Sequence, residues 1–348
     1  MMKEEVKTVG SVRVEDTNEK EFDMKKYYAI ALDPIHVGAG EARLGSVDLP
    51  IIREPGTNLP KIPGTSLSGP ARTYTAMQTG RYRWRDSDGR EYSCAGKGGE
   101  GGENHCGKVN PACPVCVPYG FSKGSGNSMQ GLAQFFDAHI LLFPVASMVG
   151  TIWVTSPMVL ECLGLGSKFE VQDDSFYPLG DAFQSRERLN FGWLMLPKGN
   201  GKGNLGDIRN KEFNSVPDKV RKRAVLVSDK LFSKIVNSNL EVRTSVSIDP
   251  ATGAAEEGAL FTYEAIPRGT ILVFDVVYNS GKYFKVGGSE LKTEEGKDVD
   301  ISWVKDKVEK GLKLFEILGI GGMGTRGMGR LKVLNLEGGN TDGRRSES

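Results

Sequence analysis

Between an apolar, helix-like run (Leu312, Leu314, Phe315, Ile317, Leu318) and a strand-like Leu331-Lys332-Val333, the chain sets six glycines within eleven positions: Gly319, Gly321, Gly322, Gly324, Gly327 and Gly329. A helix-to-strand connection of that composition can take positive φ and press its backbone onto a neighbouring segment. Arg326 and Arg330 stand among the glycines. Guanidinium forks match phosphate oxygens, so the loop points to a polyanionic ligand. A glycine hairpin without a ligand is the alternative. A nucleotide fold fits badly. The loop has no Gly-Lys-Ser/Thr ending of a P-loop, and a dinucleotide fingerprint follows a strand and opens a helix, the reverse of the order here.

At 348 residues the chain can bury a large core in one large or two modest domains. Lys and Arg total 45 against 44 Asp and Glu, so the surface as a whole is not basic. A local basic groove for nucleic acid remains open. The most apolar run, 138–154, is broken by Pro144 and Gly150 and is short for a membrane span. The first residues, Met-Met-Lys-Glu-Glu, lack the apolar centre of a signal peptide. A cytoplasmic protein without a membrane partner is expected.

Residues 1–24 are charged and aperiodic and read as a flexible arm. Residues 26–33 read as a strand, 34–48 as a loop and 50–52 as extended chain. A helix is expected over 68–80, capped by Ser66 or Ser68, with Pro70 in its first turn. Residues 86–128 form a polar, Gly-rich insertion too long for an ordinary loop. Strands follow at 131–145, 149–159, 241–248 and 270–278, with helices at 219–237 and 299–318. The tail, 337–348, is disordered by composition. Strands and helices mix without regular βα alternation, which favours an α+β fold with antiparallel sheet.

Four of the five cysteines, Cys94, Cys106, Cys113 and Cys116, crowd the insertion. In a reducing compartment such crowding suits a metal better than disulfides. Cys113-Pro-Val-Cys116 has the spacing of a zinc knuckle, and Cys94 and Cys106, or His105 as a substitute, complete four ligands for structural zinc. With four protein ligands no position is left for catalysis. Unrelated surface cysteines are the other reading.

Several separated motifs coincide. They are Pro34-Ile35-His36-Val37-Gly38-Ala39-Gly40, Gly45-Ser46-Val47-Asp48-Leu49-Pro50-Ile51 and Ile62-Pro63-Gly64-Thr65-Ser66-Leu67. Val225-Leu226-Val227-Ser228-Asp229, Val242-Arg243-Thr244, Ile248-Asp249, Thr252-Gly253 and Gly258-Ala259-Leu260-Phe261 follow, and the glycine loop ends the series. In these motifs and their order the chain resembles the RAMP superfamily (repeat-associated mysterious proteins). Within it the resemblance is to the repeated backbone subunit of type III CRISPR effector complexes, the Cmr type most closely.

That resemblance implies a RAMP domain over 25–336: a ferredoxin-like (RRM-like) α+β core with thumb and lid insertions, the thumb-like region at about 240–268. It implies copies stacked as a filament on a CRISPR guide RNA beside other effector subunits, each copy cutting the paired target RNA once, at regular intervals. It implies that Asp48, in the Gly-x-Val-Asp segment, is required for cleavage. Attack by a 2′-hydroxyl needs a base or a metal nearby, and a loop carboxylate can act as base or hold a loosely bound Mg or Mn ion through water. Asp48 as a mere turn cap is the competing reading. His36, with an unperturbed pKa of about 6.5, suits proton transfer, or contacts phosphate, or only packs the loop.

RNA contacts are expected at Ser66, Ser68, Arg72, Gly321, Gly322, Arg326 and Arg330, and at Leu260 and Phe261 as a wedge between base pairs. Ser68 departs from the lysine of many relatives, and Arg72, one helical turn on, can replace that charge. Glu264 and Glu257 are candidates for placing metal or water. Arg81, Tyr82, Arg83, Trp84 and Arg85 interleave charge with aromatic rings, a pattern suited to phosphate and base stacking; a solvated helix end gives the same pattern. Two other functions stay open: a non-catalytic RNA scaffold of the same assembly, and a single-copy guide-processing endoribonuclease.

Overall fold

The computed structural model describes residues 20–40, 47–96, 99–124, 127–161, 164, 169–208, 212–256 and 259–337. Most of the expected arm and tail, and Cys162, Glu257 and Gly258, lie outside them.

The strands that matter, in chain order, are β1 (Phe22–Ala31), β2 (Lys61–Ile62), β3 (Ala133–Phe135), β4 (Ala138–Val145), β5 (Ile152–Thr155), β6 (Phe176–Pro178), β7 (Ala224–Val227), β8 (Glu241–Ser245), β9 (Phe261–Ala265), β10 (Ile271–Asn279) and β11 (Leu331–Val333). Nine of them form one sheet in the order β6-β7-β5-β4-β10-β1-β11, with β2 added to β4 and β3 to β10. β8 and β9 make a separate antiparallel hairpin. β1 is the interior strand next to the β11 edge: Tyr27 lies opposite Phe274 of β10, and Ala29 opposite Val333 of β11. Tyr27, Tyr28 and Ala29 are fully buried. Neighbouring strands are antiparallel except β5 and β7.

That parallel pair corrects one expectation. Residues 219–237 are not one helix. They divide into a short helix at Asp218–Lys222, then β7, then helix α3 (Asp229–Ser238), so named after α1 (Gly64–Gln78) and α2 (Cys116–Tyr119). Ala224, Val225, Leu226 and Val227 are all fully buried. An interior parallel strand is apolar on both faces and loses the alternation that marks a strand in sequence.

α1 also begins earlier than expected, at Gly64 rather than 68. Neither Ser66 nor Ser68 caps it. The Gly64 N–H donates to the Asp137 carboxylate at 2.9 Å, an acceptor 73 residues away. Pro70 therefore sits within the helix, where its missing N–H leaves one carbonyl of the first turn without its intrahelical partner. α4 (Ile301–Lys313) is N-capped by Asp300, which accepts from Trp303 N at 2.7 Å. α5 (Phe315–Leu318) follows and delivers the chain to the glycine loop. α1 and α4 cross at Gly311, where a Cβ would stand 2.3 Å from the Ala71 carbonyl. Among the described residues no helix is long and apolar enough to cross a membrane.

α4 also carries a buried charge into the core. Glu309 accepts from Lys25 Nζ and from the Tyr27 hydroxyl, each at 2.8 Å, and from Glu337 N at 2.8 Å. Tyr27 and Tyr278 share a further hydrogen bond of 2.7 Å. Burial first, then the neighbouring Tyr278 and Glu309, pushes the Tyr27 phenol far above its ordinary pKa. Removing one member of such a pair strands the other. Lys25 keeps a longer contact to Glu337 at 3.4 Å, so Glu309→Ala is expected to lower the unfolding free energy by about 3 kcal/mol, the low end for breaking a buried pair, read as a fall in the urea midpoint. Lys25→Met with Glu309→Leu should recover most of that loss, because no charge is then left unpaired.

Candidate functional site

Residues 34–39 run as an extended segment between two partners. On one side Ile35 exchanges backbone hydrogen bonds with Ile266, just beyond β9, both at 2.9 Å. On the other the His36 carbonyl accepts from Gly322 N at 2.8 Å, and the Pro34 carbonyl from Gly329 N at 2.9 Å. The glycines are needed here. Gly321 has φ of +73°, and a Cβ on it would lie 2.5 Å from the His36 carbonyl. The glycine loop is thus zipped onto the Pro34–His36 segment, with Arg326 and Arg330 left exposed at its surface.

A second segment, 48–53, lies along the β8–β9 hairpin. Leu49 N donates to the Thr262 carbonyl at 3.0 Å, and Glu264 N to the Leu49 carbonyl at 3.1 Å. Asp48 is exposed and closes a small ring with Thr262. Its Oδ2 accepts from Thr262 N at 2.7 Å and from Thr262 Oγ1 at 2.8 Å, while Asp48 N donates to Thr262 Oγ1 at 3.1 Å. The backbone bond from Thr262, then its hydroxyl, holds the Asp48 carboxyl below the usual carboxylate range. Asp48 is therefore a fixed anion, and a weaker base than a free carboxylate.

His36 is 6% exposed. Its Nδ1 lies 2.6 Å from the Glu264 carbonyl oxygen. A carbonyl only accepts, so Nδ1 carries the proton and Nε2 is the free nitrogen. Glu264 itself is engaged: its two oxygens take Arg53 Nη2 at 3.0 and 2.9 Å, and Oε2 also takes Ile51 N at 3.3 Å. Arg53 Nε reaches Asn237 of α3 at 3.0 Å. This corrects the reading of Glu264 as an open ligand for metal or water: its carboxylate is the buckle between segment 48–53 and the hairpin.

The structure brings Asp48, His36, Gly321 and Gly322 into one surface region, with the hairpin on its flank. Leu260, 66% exposed, stands free at the start of β9. Phe261 is only half-free, because it packs on the small cluster of Tyr263, Ala265 and Met328. The Arg326 guanidinium lies 4.9 Å from the Phe261 ring centre, a cation–π contact that ties the glycine loop to the hairpin. Arg330 forks onto Asp33, Nε to Oδ2 at 2.5 Å and Nη2 to Oδ1 at 3.1 Å. Arg330, and behind it Arg268 and Arg243, hold Asp33 below the carboxylate range. Several arginines thus gather at the root of the hairpin.

Other expected contacts stand elsewhere. Ser66 and Ser68 lie early in α1, and the Ser68 hydroxyl only approaches the Thr65 carbonyl, at 3.5 Å. Arg72 does not replace the missing lysine. It points into the insertion, giving Nε to the Cys94 carbonyl at 2.8 Å and Nη1 to the Gly120 carbonyl at 2.7 Å, with Nη2 3.1 Å from His105 Nε2. Trp84 is likewise engaged, with Arg81 4.0 Å over its ring and Tyr92 stacked at 5.1 Å. Tyr82, Arg83 and Arg85 stay exposed.

Sequence reasoning missed Thr262 and Arg53. Arg53 had a signal, a charge interrupting the apolar Pro50-Ile51-Ile52. Thr262 had none.

The four cysteines are buried and their sulfurs all lie within 4.8 Å of one another. Cys106 and Cys116 sulfurs are 3.7 Å apart, Cys94 and Cys113 sulfurs 3.8 Å. A tetrahedral zinc with Zn–S bonds of about 2.3 Å has S···S edges of about 3.8 Å, so the donor set fits that ion. Cys116 N donates to Cys113 Sγ at 3.4 Å, the support expected of a knuckle. His105 is not a ligand in this arrangement; its Nε2 faces Arg72 and the Gly96 carbonyl, 3.2 Å away.

Comparison with known proteins agrees with this architecture. The sequence pattern of the RAMP superfamily matches residues 29–332. The chain is 28% identical over 331 residues to the CRISPR system Cmr endoribonuclease Cmr4 of Pyrococcus furiosus, spanning 89% of this chain and 95% of that protein. A shorter match, 45% over 51 residues, joins 14% of it to 22% of the CRISPR system Cms endoribonuclease Csm3 of Mycobacterium tuberculosis. Among solved structures it is similar to a chain of the type III-B Cmr-beta complex bound to cognate target RNA. That match has a TM-score of 0.58 and 12% identity, over 90% of this chain and 98% of the other. The crystal structure of Cmr4 matches with a TM-score of 0.51 and 20% identity, over 90% and 100%. At those identities the structural likeness concerns the fold.

Proposed function

The chain belongs to the RAMP superfamily, and on that premise we propose that it is a Cmr4-like backbone subunit of a type III CRISPR effector, one that binds guide RNA and cleaves the paired target RNA. The observation that carries this reading is the convergence of an exposed, ionised Asp48 fixed to a hairpin with a glycine loop that bears two exposed arginines, Arg330 paired with Asp33 and Arg326 lying on Phe261. The near full-length match to Cmr4 supports it. The core order supports a ferredoxin-like centre. β1, α1, β4, β10, α4 and β11 follow one another as β-α-β-β-α-β, in the sheet order β4-β10-β1-β11. The β8–β9 hairpin is the thumb-like element.

In this mechanism the guide RNA is held over the glycine loop, with Arg326 and Arg330 on its phosphates, and the target strand pairs with it. Leu260 is the wedge that splays a base pair. The 2′-hydroxyl of the splayed nucleotide, giving its proton to Asp48, attacks the adjacent phosphorus; the P–O5′ bond breaks, leaving a 2′,3′-cyclic phosphate on one product and a 5′-hydroxyl, protonated by water, on the other. Asp48, its Oδ2 already saturated by Thr262, presents Oδ1 to that hydroxyl. A hydrated magnesium or manganese ion at Oδ1 would supply charge neutralisation at the phosphorane. His36, buried and held through Nδ1, orders the Pro34–Gly38 segment that carries the site. Its free Nε2 and low exposure suit that role better than proton delivery, and this counts against a histidine-centred guide-processing enzyme. The four cysteines are assigned to structural zinc, remote in role from the chemistry.

The assembled complex, with guide RNA, partner subunits and further copies of this chain, is expected to cut guide-matched RNA at several positions of constant spacing in magnesium or manganese. Denaturing gels of end-labelled target check it. Ser68 in place of a cation is the one feature that favours a non-cutting scaffold. Tight target binding without cuts in either ion would select that reading.

A further inference from the structure

The Asp48–Thr262 ring has no assigned role, and it does more than cap a turn. Thr262 makes three hydrogen bonds to one neighbour with two atoms: its N and Oγ1 donate to Asp48 Oδ2, and Oγ1 accepts from Asp48 N. Both lone-pair directions of Oδ2 are therefore taken, and the χ angles of Asp48 are fixed. Oδ1 is the single carboxylate oxygen left to work. The two residues are 214 positions apart, so the ring is a tertiary joint rather than a local turn. It also lies at one end of a short bracket. Leu49 pairs with Tyr263, Ile51 N donates to Glu264, and Arg53 closes the bracket by forking onto the same carboxylate.

We infer that Thr262 is a positioning residue for target cleavage: its hydroxyl presents Asp48 Oδ1 to the reacting nucleotide and ties that carboxylate to the β8–β9 hairpin. The inference rests on the proposed nuclease function. Its physical basis is that a surface aspartate on a loop samples several rotamers, each about as stable as the next. A carboxylate locked in one of them arrives preorganised, and misplacement by about 1 Å can cost about 100-fold in rate. The coupling has a second consequence. When the hairpin engages paired RNA, Asp48 moves with it as one piece, because three successive backbone and side-chain links hold segment 48–53 to β9.

The test is single-turnover cleavage by the complete effector, loaded with guide RNA, at saturating matched target. Thr262→Val keeps shape and strand preference and removes only the hydroxyl. It should lower the cleavage rate about 10- to 100-fold, while target affinity changes less than about twofold. Thr262→Ser restores the hydroxyl and should recover most of the loss. Asp48→Ala with Thr262→Val should be no slower than Asp48→Ala alone, since both act through one oxygen. Parental cleavage by Thr262→Val, with Asp48→Ala inactive, would overturn the inference and leave the nuclease reading standing. Equal losses in Val and Ser variants would also overturn it, because the hydroxyl would then not be the acting group. Parental cleavage by Asp48→Ala would remove the assignment of Asp48, and this inference with it, while no cleavage by the parental complex would remove the nuclease reading itself.

Discussion

Asp48→Ala in every copy of the effector's backbone subunit is expected to slow target cleavage by about 10²- to 10⁴-fold, the range set by losing a positioned acid–base or metal-holding group. Guide loading, assembly and target affinity should stay at parental levels. Asp48 is exposed and carries the sign that repels phosphate, so its removal cannot weaken RNA binding through charge. Nor does it sit in the core. Asp48→Asn sharpens the result. Asparagine can still accept from Thr262 but carries no charge, so a loss close to that of alanine identifies charge as the working property. The pH dependence follows from the direction of the shift. Thr262 holds the Asp48 carboxyl below the usual carboxylate range, so it is fully ionised throughout neutral pH and loses its charge only in strong acid. A cleavage profile between about pH 5 and 8 should therefore show no inflection from Asp48, since only histidine ordinarily titrates there. An inflection in that window that disappears with Asp48→Asn would contradict this picture.

What the sequence revealed of the site was what is local in the chain. The glycine loop was legible because six glycines between a helix and a strand open positive φ and close backbone approach, and the structure uses them for backbone contact with Pro34 and His36. Asp48 was legible only through motif order. Its partner was not, because Thr262 is an ordinary strand residue until the fold brings it 214 positions back. Charge misled in the same way. Arg72 and Glu264 read as ligand-facing groups, yet Arg72 spends its donors on Cys94 and Gly120 carbonyls and Glu264 is forked by Arg53. A side chain's direction depends on which element packs over it, and no local pattern encodes that. β7 failed for the complementary reason. Its four apolar residues are buried on both faces, so no periodicity separated them from the helical segments on either side. The cysteines did better, since ligand spacing is itself local.

Those cysteines support the other large expected effect. Protein purified without added metal should carry about one zinc per chain by elemental analysis, and stripping it should unfold the insertion. The insertion has few means of its own to stay folded. Among its described residues, regular structure is limited to short hairpins, a 3₁₀ turn at Glu100–Gly102 and the single turn of α2, and its buried apolar residues, such as Val109, Val115, Val117 and Phe121, belong to the same packed cluster as the cysteines. An apparent binding free energy of about 10–16 kcal/mol for a structural zinc exceeds anything that group could supply. Without the ion, four thiols are left in a buried pocket with only weak sulfur hydrogen bonds between them, an arrangement that favours opening. Cys113→Ser or a strong chelator should therefore make residues 86–128 the first site of proteolysis and speed their amide exchange. β1, β10 and α4 should stay protected, because α1 remains wedged on α4 at Gly311. Arg72 should be released at the same time, since its partners Cys94, Gly120 and His105 all belong to the insertion. Less than about a tenth of a zinc per chain, together with four thiols that react freely in the folded protein, would sink the assignment.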